Sequence, residues 1–389
     1  MTSSLASAQT SAPVIPGVEV LLADSLHLIA GQRVGLLTNH SGRDRSGTST
    51  IDLLFKAPGV KLVALYGPEH GIRGIAKAGE KISSSIDSAT GVKVYSLYGD
   101  VQTPTADMMK DIDVLLYDIQ DVGARVYTYE WTFALAANSG KKPVIILDRP
   151  DPIRADRYEG NILDPKFASL VGQFPVALRY GLTPGELLRF LAGTKLIDAN
   201  VTVVPMKNYR RSMWFDETGL PWVNPSPNLR NIDAALLYPG TVFFEGTTVT
   251  EGRGTDDPFT LIGASWLTDN VAIAAELNAL KLPGVRFDTA TRAIEAGYKF
   301  GGQTIPMIKV RVTDRNAVRA VEVGIRMLRA IYAKHTTDFK WREKQIDRLA
   351  GTDKLRAAVE QNTVDALIRE WDADALRFAA MVKPYLLYR

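Results

Sequence analysis

The stretch "VKLVALYGPEHGIRG", Val60–Gly74, contains the pattern that decides the fold. Its first half is an apolar run, which is typical of a buried strand. The run stops at a Gly-Pro pair, and Glu69, His70 and Arg73 follow on a glycine-rich turn. A carboxylate, an imidazole and a guanidinium directly after a buried strand match the place where parallel α/β sheets build their ligand sites.

Apolar strands alternate with helical segments through the first half of the chain. The predicted strands are 33–39, 60–66, 92–98, 113–119, 142–148 and 201–206. The predicted helices are 49–57, 103–112, 127–140 and 182–193. Continuous apolar strands separated by helices indicate a parallel sheet that is covered on both faces. We therefore predict an α/β fold with a doubly wound, Rossmann-like parallel sheet.

The length of 389 residues favours two domains rather than one. The segment Asp216–Phe259 is rich in Pro, Gly, Thr and Asn and has little periodicity, which is typical of a functional segment or a linker. Beyond it, helical patterns surround a single strand pattern. We predict a disordered tail over 1–17, a Rossmann-like catalytic domain over 18–258 and a smaller α+β C-terminal domain over 259–389.

Composition excludes several classes of function. The chain has no cysteine, so disulfides, thiolate metal sites and cysteine nucleophiles are excluded. The formal net charge of +3 and the interspersed charges argue against a nucleic-acid partner. No apolar run has the roughly 18 residues that a membrane span needs. The opening residues lack the basic and apolar regions of an intact signal peptide.

Polar residues collect where the predicted strands end. Asn39 follows the first strand, Glu69 and His70 the second, Asp118 and Asp121 the fourth. Because the carboxyl ends of parallel strands share one edge of the sheet, we expect these side chains to converge. Structural roles are open for some of them, such as an Asx turn for Asn39 or a helix cap for Asp118.

The chemistry of this edge is best explained by carboxylates. The chain has no G-x-S-x-G elbow and no phosphate-binding glycine loop. A metal site built on His70, Asp118 and Asp121 is weakened by the lack of paired histidines. Glycoside hydrolysis needs an acid that protonates the leaving oxygen and usually a second group, and Glu69 is our candidate for the acid. The candidate partners are Asp118, Asp121, Glu245 and Glu251.

Arginines and aromatic residues surround these acids. We expect Arg73, Arg125 and Arg253 either to bind a substrate carboxylate or to form internal ion pairs with the acids. Aromatic side chains could pack against sugar rings or belong to the core. The aromatic residues near the motifs are Tyr66, Tyr127, Tyr129, Trp131 and Trp222.

Seven motifs, in order along nearly the whole chain, resemble the exo-β-N-acetylmuramidases. The motifs are "LLTNHSG" (36–42), "GPEHGIRG" (67–74), "YDIQDVGARVYTY" (117–129), "LDRPDP" (147–152), "RYGLTPGELL" (179–188), "NPSPNLR" (224–230) and "YPGTVFFEGTTVTEGRGTDDPF" (238–259). Several long motifs in one order are more specific than any single one. The resemblance implies a Rossmann-like domain, a smaller C-terminal domain and a site in the cleft between them.

The resemblance also implies an activity, which is the release of N-acetylmuramic acid from the non-reducing ends of peptidoglycan fragments. The glutamate of the P-E-H-G motif is the proposed catalytic residue of the family and corresponds to Glu69. We expect His70, Asp121 and Glu251 to share the catalytic site, with no metal and no cofactor. The second catalytic group stays open between Asp121, Glu251 and the acetamido group of the substrate itself. The expected substrate-binding residues are Asn39, Arg73, Arg125, Tyr127, Tyr129, Asn228, Glu245 and Arg253.

Two alternatives to this enzyme stay open. Two lobes around a cleft would also suit a non-enzymatic binding protein for sugars or peptidoglycan fragments. An amidase or esterase acting on the same polymer is disfavoured, because the nucleophile motif is missing. Peptidoglycan lies outside the cytoplasmic membrane, so we expect a periplasmic or extracellular protein, with a cytoplasmic location as the alternative.

Overall fold

A computed structural model describes residues 12–68, 71–73, 85–99 and 101–389. The strands are β1 (Arg33–Thr38), β2 (Lys61–Gly67), β3 (Ser85–Ile86), β4 (Lys93–Ser96), β5 (Val114–Asp118), β6 (Val144–Leu147), β7 (Glu159–Ile162), β8 (Ala177–Arg179), β9 (Val201–Val204), β10 (Leu261–Gly263), β11 (Val285–Ala293) and β12 (Thr304–Val312). The α-helices are α1 (Gly17–Asp24), α2 (Thr50–Lys56), α3 (Ala106–Met109), α4 (Tyr129–Gly140), α5 (Pro184–Gly193), α6 (Ile232–Thr241), α7 (Asn270–Ala279), α8 (Ala320–Lys334), α9 (Glu343–Ala350), α10 (Lys354–Glu360) and α11 (Val364–Val382). Short 3-10 helices lie at Leu26–Leu28, Pro165–Phe167, Phe215–Glu217, Val242–Gly246 and Lys383–Tyr385.

The large sheet has the strand order β3-β4-β2-β1-β5-β6-β9, and its pairs are parallel except that β3 runs antiparallel to β4. Every residue of the interior strand β5 is buried. Its side chains alternate between two hydrophobic clusters, with Leu115 and Tyr117 in one and Val114 and Leu116 in the other. Both faces of the sheet are therefore covered, which confirms the predicted doubly wound α/β fold.

Helix α5 shows how the sequence positions the elements around this sheet. Thr183 caps its N-terminus by accepting from the Glu186 backbone N–H (3.2 Å), and the Glu186 carboxylate accepts from the Thr183 N–H (3.1 Å). Pro184 follows in the first turn, where its missing N–H costs nothing. The "LTPGELL" pattern therefore fixes where the helix begins.

A second, antiparallel sheet of order β10-β12-β11 follows in the C-terminal part, with α7 packed against it and α8 against α7. Helix α6 crosses α8 at a pair of glycines, and a Cβ at Gly324 would lie 2.2 Å from the Gly240 carbonyl oxygen. Helix α6 precedes residue 258 but packs against the C-terminal helices. The division of the chain at residue 258 stays a prediction.

The part of the predicted disordered tail that the structure describes, 12–17, is ordered, so the prediction is wrong there. Val14 is buried, and its N–H donates to the Thr218 carbonyl (2.9 Å). Ile15 forms an antiparallel backbone bridge with Lys207. Val14 and Ile15 bury apolar surface against the large domain, and this burial holds the segment in place. Residues 1–11 of the predicted tail lie outside the described residues. Among the described helices, none combines the length and apolar character that crossing a bilayer would require.

Candidate active site

The glycine-rich turn after β2 is described only at its flanks. Glu69 and His70 lie outside the described residues. The Gly71 N–H donates to the Pro68 carbonyl (3.0 Å), and Gly71 has a φ of 72°, which favours glycine. The roles that we assign to Glu69 and His70 therefore rest on the sequence motif.

Arg73 forms internal ion pairs, which is one of the two roles predicted for it. Its guanidinium donates twice to Asp87, at 2.8 Å from both Nε and Nη2, and once to Asp52 at 3.3 Å. This bidentate pair lowers the pKa of Asp87. The arrangement gives Arg73 a structural function beside the turn and leaves little of its guanidinium for a substrate.

The loop after β1 reaches the irregular segment that the sequence singled out. The Asn39 carbonyl oxygen Oδ1 accepts from the Ser41 N–H (2.9 Å) and hydroxyl (2.6 Å), which forms the predicted Asx turn. The buried Nδ2 of Asn39 has no partner among the described residues. His40 Nε2 lies 2.8 Å from the Asn224 carbonyl oxygen and so connects the sheet edge to the "NPSPNLR" motif.

Four aromatic residues pack in two pairs near the "NPSPNLR" motif and the end of the irregular segment. The Tyr127 hydroxyl donates to the Pro225 carbonyl (2.8 Å), and the Tyr127 and Tyr129 rings pack edge-on at 4.7 Å. Tyr238 packs edge-on against Phe259 at 4.8 Å. Burial raises the pKa of Tyr127 well above its usual value, so its hydroxyl stays protonated.

Arg253 joins two glutamates at the end of the irregular segment. Its Nη2 lies 2.8 Å from Glu245 Oε1, and its Nη1 lies 3.4 Å from Glu251 Oε1. The guanidinium also lies over the Phe259 ring, with 5.2 Å between Cζ and the ring centroid. The buried Nε of Arg253 has no partner among the described residues. This group unites three of the predicted site residues.

Lys299 completes the group and was not predicted. It lies in the loop between β11 and β12, and its Nζ donates to Glu251 Oε2 (3.2 Å) and to the carbonyls of Phe244 and Val249 (2.9 Å each). Burial lowers the pKa of Lys299. The glycine-flanked "GYKFGG" pattern, 297–302, could have indicated a functional loop, but its sequence distance from Glu251 concealed the pairing.

The two glutamates differ in their surroundings. The Glu251 carboxylate pairs with two cations, Arg253 and Lys299, whereas among the described residues the Glu245 carboxylate pairs with Arg253. Burial raises the pKa of Glu245 to about 7, although Arg253 acts in the opposite direction. The Glu245 side chain is 17% exposed and the Glu251 side chain only 4%. Glu245 can therefore hold a proton near neutral pH and still reach a ligand.

Asp121 lies beneath the surface of the site. It is fully buried, and its Oδ2 accepts from the Gly123 N–H (3.0 Å) and from the Tyr180 hydroxyl. Its other oxygen has no partner among the described residues, and burial raises its pKa to about 6. Glu130, which the sequence did not single out, is also buried, and its burial, with the Asp121 carboxylate nearby, raises its pKa well above the usual value. A substrate could contact Asp121 only if the residues that bury it moved apart.

Asp118 forms a buried ion pair with Arg149. Arg149 Nη2 donates to Asp118 Oδ2 (2.9 Å), and its Nε also contacts the carboxylate. The Thr50 hydroxyl donates to the same group. The pair is buried, so Asp118 links β5 to the end of β6 and is not an available catalytic partner.

Arg125 does not lie at the substrate-facing surface, and we correct its predicted role. It is fully buried, with Nη1 donating to the carbonyls of Asn161 (2.9 Å) and Val176 (3.0 Å). Its Nη2 donates to the Ala350 carbonyl (2.8 Å) at the end of α9. Because these carbonyls use the guanidinium internally, Arg125 ties the C-terminal helices to the large domain.

Asn228 fits the predicted binding role better. It is nearly buried, and its backbone N–H interacts with Ser226 Oγ (3.3 Å). Its side-chain amide makes no hydrogen bond to any residue that the structure describes. Within the same described ranges, no group of three His, Asp or Glu side chains is arranged to hold a metal ion.

Comparison with known proteins places these residues in a family context. Residues 34–233 match the family model described as exo-beta-N-acetylmuramidase NamZ, N-terminal, and residues 236–388 match its C-terminal counterpart. The chain is 41% identical over 377 residues to the peptidoglycan beta-N-acetylmuramidase NamZ of Bacillus subtilis strain 168, which covers 96% of this chain and 91% of the relative.

Two crystal structures of DUF1343 family proteins from Bacteroides fragilis NCTC 9343 have the same fold. One superimposes with a TM-score of 0.90 at 35% identity and the other with 0.76 at 30% identity. Each comparison covers 97% of this chain and 99% of the other chain. The likeness therefore extends over both the large sheet and the C-terminal part.

Proposed function

Because the chain belongs to the exo-β-N-acetylmuramidase NamZ family, we propose that it is an exo-acting glycoside hydrolase that releases N-acetylmuramic acid from peptidoglycan fragments. The observation that carries the proposal at the level of the site is the pairing of Glu245 and Glu251 on Arg253. Two carboxylates in unequal surroundings, beside buried tyrosines, suit acid–base chemistry at a glycosidic bond.

In the proposed reaction, a carboxylic acid gives its proton to the glycosidic oxygen as the bond from that oxygen to the anomeric carbon breaks. Water then supplies a hydroxyl to the anomeric carbon and returns a proton to the enzyme. We assign the proton donor to Glu69 on the family motif. Glu245 is the second candidate, since its pKa of about 7 keeps part of it protonated at neutral pH.

The structure leaves fewer candidates for the second catalytic group than the sequence did. Asp121 is buried beneath the site, so we place it as a positioning residue. Glu251 stays a candidate, although Arg253 and Lys299 already bind it. Attack by the acetamido group of the substrate is the third route, and it needs no further protein nucleophile.

Arg253 is our candidate for recognising the lactyl carboxylate of muramic acid. Arg73 and Arg125 are held by internal partners, and Arg125 is fully buried, whereas the Arg253 side chain is 31% exposed. Among the other predicted binding residues, Asn228 and Tyr127 are 5% and 6% exposed and are our candidates for contacts to the sugar, whereas Asn39 and Tyr129 are 2% exposed and support the site from beneath. A carboxylate placed on a guanidinium gives both charge and directional recognition.

The test is turnover of N-acetylmuramyl-N-acetylglucosamine by purified protein, followed as free muramic acid. Replacing a general acid costs about 10²–10⁴-fold in kcat, so we expect Glu69→Gln to lose that much. Glu245→Gln is run beside it, with Glu276→Gln as the matched exposed control. Retained turnover in Glu69→Gln would overturn the assignment of the acid but not the activity.

The alternative is a binding protein, and the same assay separates it. Binding of the disaccharide with no release by the wild type would support that alternative. Release that stops on adding a chelator would contradict our expectation of metal-free hydrolysis. The substrate also lies outside the cytoplasmic membrane, so we propose a periplasmic or extracellular location, to be tested by cell fractionation.

A further inference from the structure

A second cavity lies beside the candidate active site. Its volume is about 550 Å³, within the range of small-ligand sites. It lies between the 222–233 segment and β12. Its lining residues are Trp222, Arg230, Asn231, Ile232, Asp233, Asp257, Thr260, Lys309, Val310, Arg311, Val312 and Arg315. Apart from Trp222, which the sequence offered as a sugar-packing or core aromatic residue, none of them was predicted to take part in a site.

The cavity and the candidate site are neighbours along two segments of the chain. Asn228 of the site and Arg230 of the cavity are two residues apart, which limits their Cα separation to about 7 Å. Arg253 and Asp257 lie on the same loop, and Arg230 Nη1 donates to the Asp256 carbonyl of that loop (3.3 Å). A ligand that is longer than one sugar could therefore extend from the site into the cavity.

The charges of the cavity favour a neutral polar ligand over an anion. Cations outnumber acids in the lining, but each cation already contacts a carboxylate. The ion pairs of these cations are Lys309–Asp257 (2.9 Å), Arg315–Asp233 (3.0 Å), Arg315–Asp216 (2.6 Å) and Arg230–Asp256 (3.8 Å). Arg311 contacts Asp288. An anion would have to compete with these carboxylates, whereas hydroxyl and amide groups can use the remaining N–H groups and oxygen lone pairs.

Trp222 supplies the aromatic surface that a sugar ring needs. Its ring packs edge-on against Phe215 at 5.1 Å, and its Nε1–H donates to Asn224 Oδ1 (3.0 Å). Both contacts fix the ring while it stays partly exposed. A fixed aromatic face beside paired charges is the arrangement that binds the apolar face and the hydroxyls of a saccharide together.

We propose that this cavity binds an uncharged N-acetylamino sugar of the glycan strand, beyond the sugars at the cleaved bond. The proposal rests on the proposed function, because an exo-acting enzyme must accommodate the rest of the strand on one side of its site. The cavity then favours long glycan fragments over the disaccharide. Phosphate or another anion is the rejected occupant.

The test measures binding of tri-N-acetylchitotriose by calorimetry, since this probe carries no muramic acid to release. We expect Trp222→Ala and Arg311→Ala each to weaken binding by about tenfold, the scale of one lost stacking or hydrogen-bond contact. Glu276→Gln, at a side chain that is 48% exposed and outside the cavity lining, should bind the probe like the wild type. Arg311 is 61% exposed, so its variant should fold even if the tryptophan variant does not.

Turnover gives the second readout. Arg311→Ala should keep the wild-type rate on the disaccharide and lose about tenfold in kcat/KM on a tetrasaccharide that ends in muramic acid. No probe binding, wild-type binding by Arg311→Ala, equally weakened binding by Glu276→Gln, or competition by inorganic phosphate would overturn the proposal. Absence of muramic acid release from every substrate would instead count against the proposed function, since probe binding does not depend on turnover.

Discussion

At the scale of single residues, the group around Arg253 decides how the site is charged. Glu245 and Glu251 share one guanidinium, and Lys299 binds only Glu251. Without Arg253, two buried carboxylates would face each other with one cation between them. Such an uncompensated buried charge is strongly destabilising, more so than the loss of an exposed ion pair.

We therefore expect Arg253→Met to lower kcat/KM by about 10²-fold or more, as for other preorganised charges in active sites. It should also lower Tm, because Arg253 holds down the pKa of Glu245 and its loss raises that pKa further. Turnover of the disaccharide and thermal melting check this. The control is Arg286→Met, at a position whose side chain is 69% exposed. A variant with normal turnover would remove Arg253 from the site.

The sequence located the Arg253 group because its predicted members lie within nine positions, Glu245–Arg253. It could not locate Lys299, which reaches Glu251 only through the packing of the loop between β11 and β12. It also could not tell which arginines are internal. Arg125 and Arg253 both belong to motifs, and only the tertiary structure shows that Arg125 binds backbone carbonyls.

Arg125→Met separates a structural role from substrate binding. Each of three buried carbonyls would lose a donor, at a cost of about 1–3 kcal/mol each. Burial of the unpaired cation offsets part of this cost, since it lowers the pKa of Arg125 to about 9. We expect a lower Tm with the KM for the disaccharide unchanged. A raised KM with an unchanged Tm would restore the original substrate-binding prediction.

At the scale of elements, periodicity predicted the strands of the large sheet because each is an apolar run between glycine or proline signals. It placed β2 and β5 within one or two residues of their observed bounds. It missed the β7–β8 hairpin, whose strands are short and held by contacts with distant parts of the chain. It also gave no sign that α6 and α8 meet, because a glycine within a helix usually indicates low propensity rather than contact.

Gly324→Ala tests this helix crossing. Alanine favours an isolated helix by about 1 kcal/mol over glycine, which would stabilise the protein if nothing opposed it. The new Cβ would lie 2.2 Å from the Gly240 carbonyl oxygen, which is backbone and cannot move aside without separating α6 from α8. Such overpacking costs about 1–3 kcal/mol, so we expect a net loss in chemical denaturation. Ala333→Gly, at an exposed position of the same helix, measures the helix-propensity difference without the contact.

At the scale of the whole molecule, buried acids dominate the response to pH. Burial raises the pKa of Asp121 to about 6 and those of Asp148, Asp151 and Glu245 to about 7. It raises the pKa of Glu130 well above its usual value. Asp121, Asp148 and Asp151 follow the ends of β5 and β6, and Glu245 lies beside Arg253. The native state therefore holds protons that the unfolded chain has already released.

This difference sets the sign of the pH dependence. Between about pH 4 and 7 the native state binds more protons than the unfolded state, so the free energy of unfolding falls as pH rises. Below about pH 4 the sign reverses, because Arg33 lowers the pKa of Asp113 to about 2 and an ionised partner is lost there. We expect Tm to be highest near about pH 5 and several degrees lower at about pH 8.

Two variants test whether the buried acids cause the fall of Tm with pH. Asp151→Asn removes one buried acid whose Oδ2 has no partner among the described residues, so Tm should depend less on pH between about 5 and 8. Asp107→Asn, where the side chain is 90% exposed, should leave the profile unchanged. Melting curves across this range check both variants. A Tm that rises from pH 5 to pH 8 would mean that the buried acids are ionised in the native state, and the proton-donating role of Glu245 at neutral pH would then fail as well.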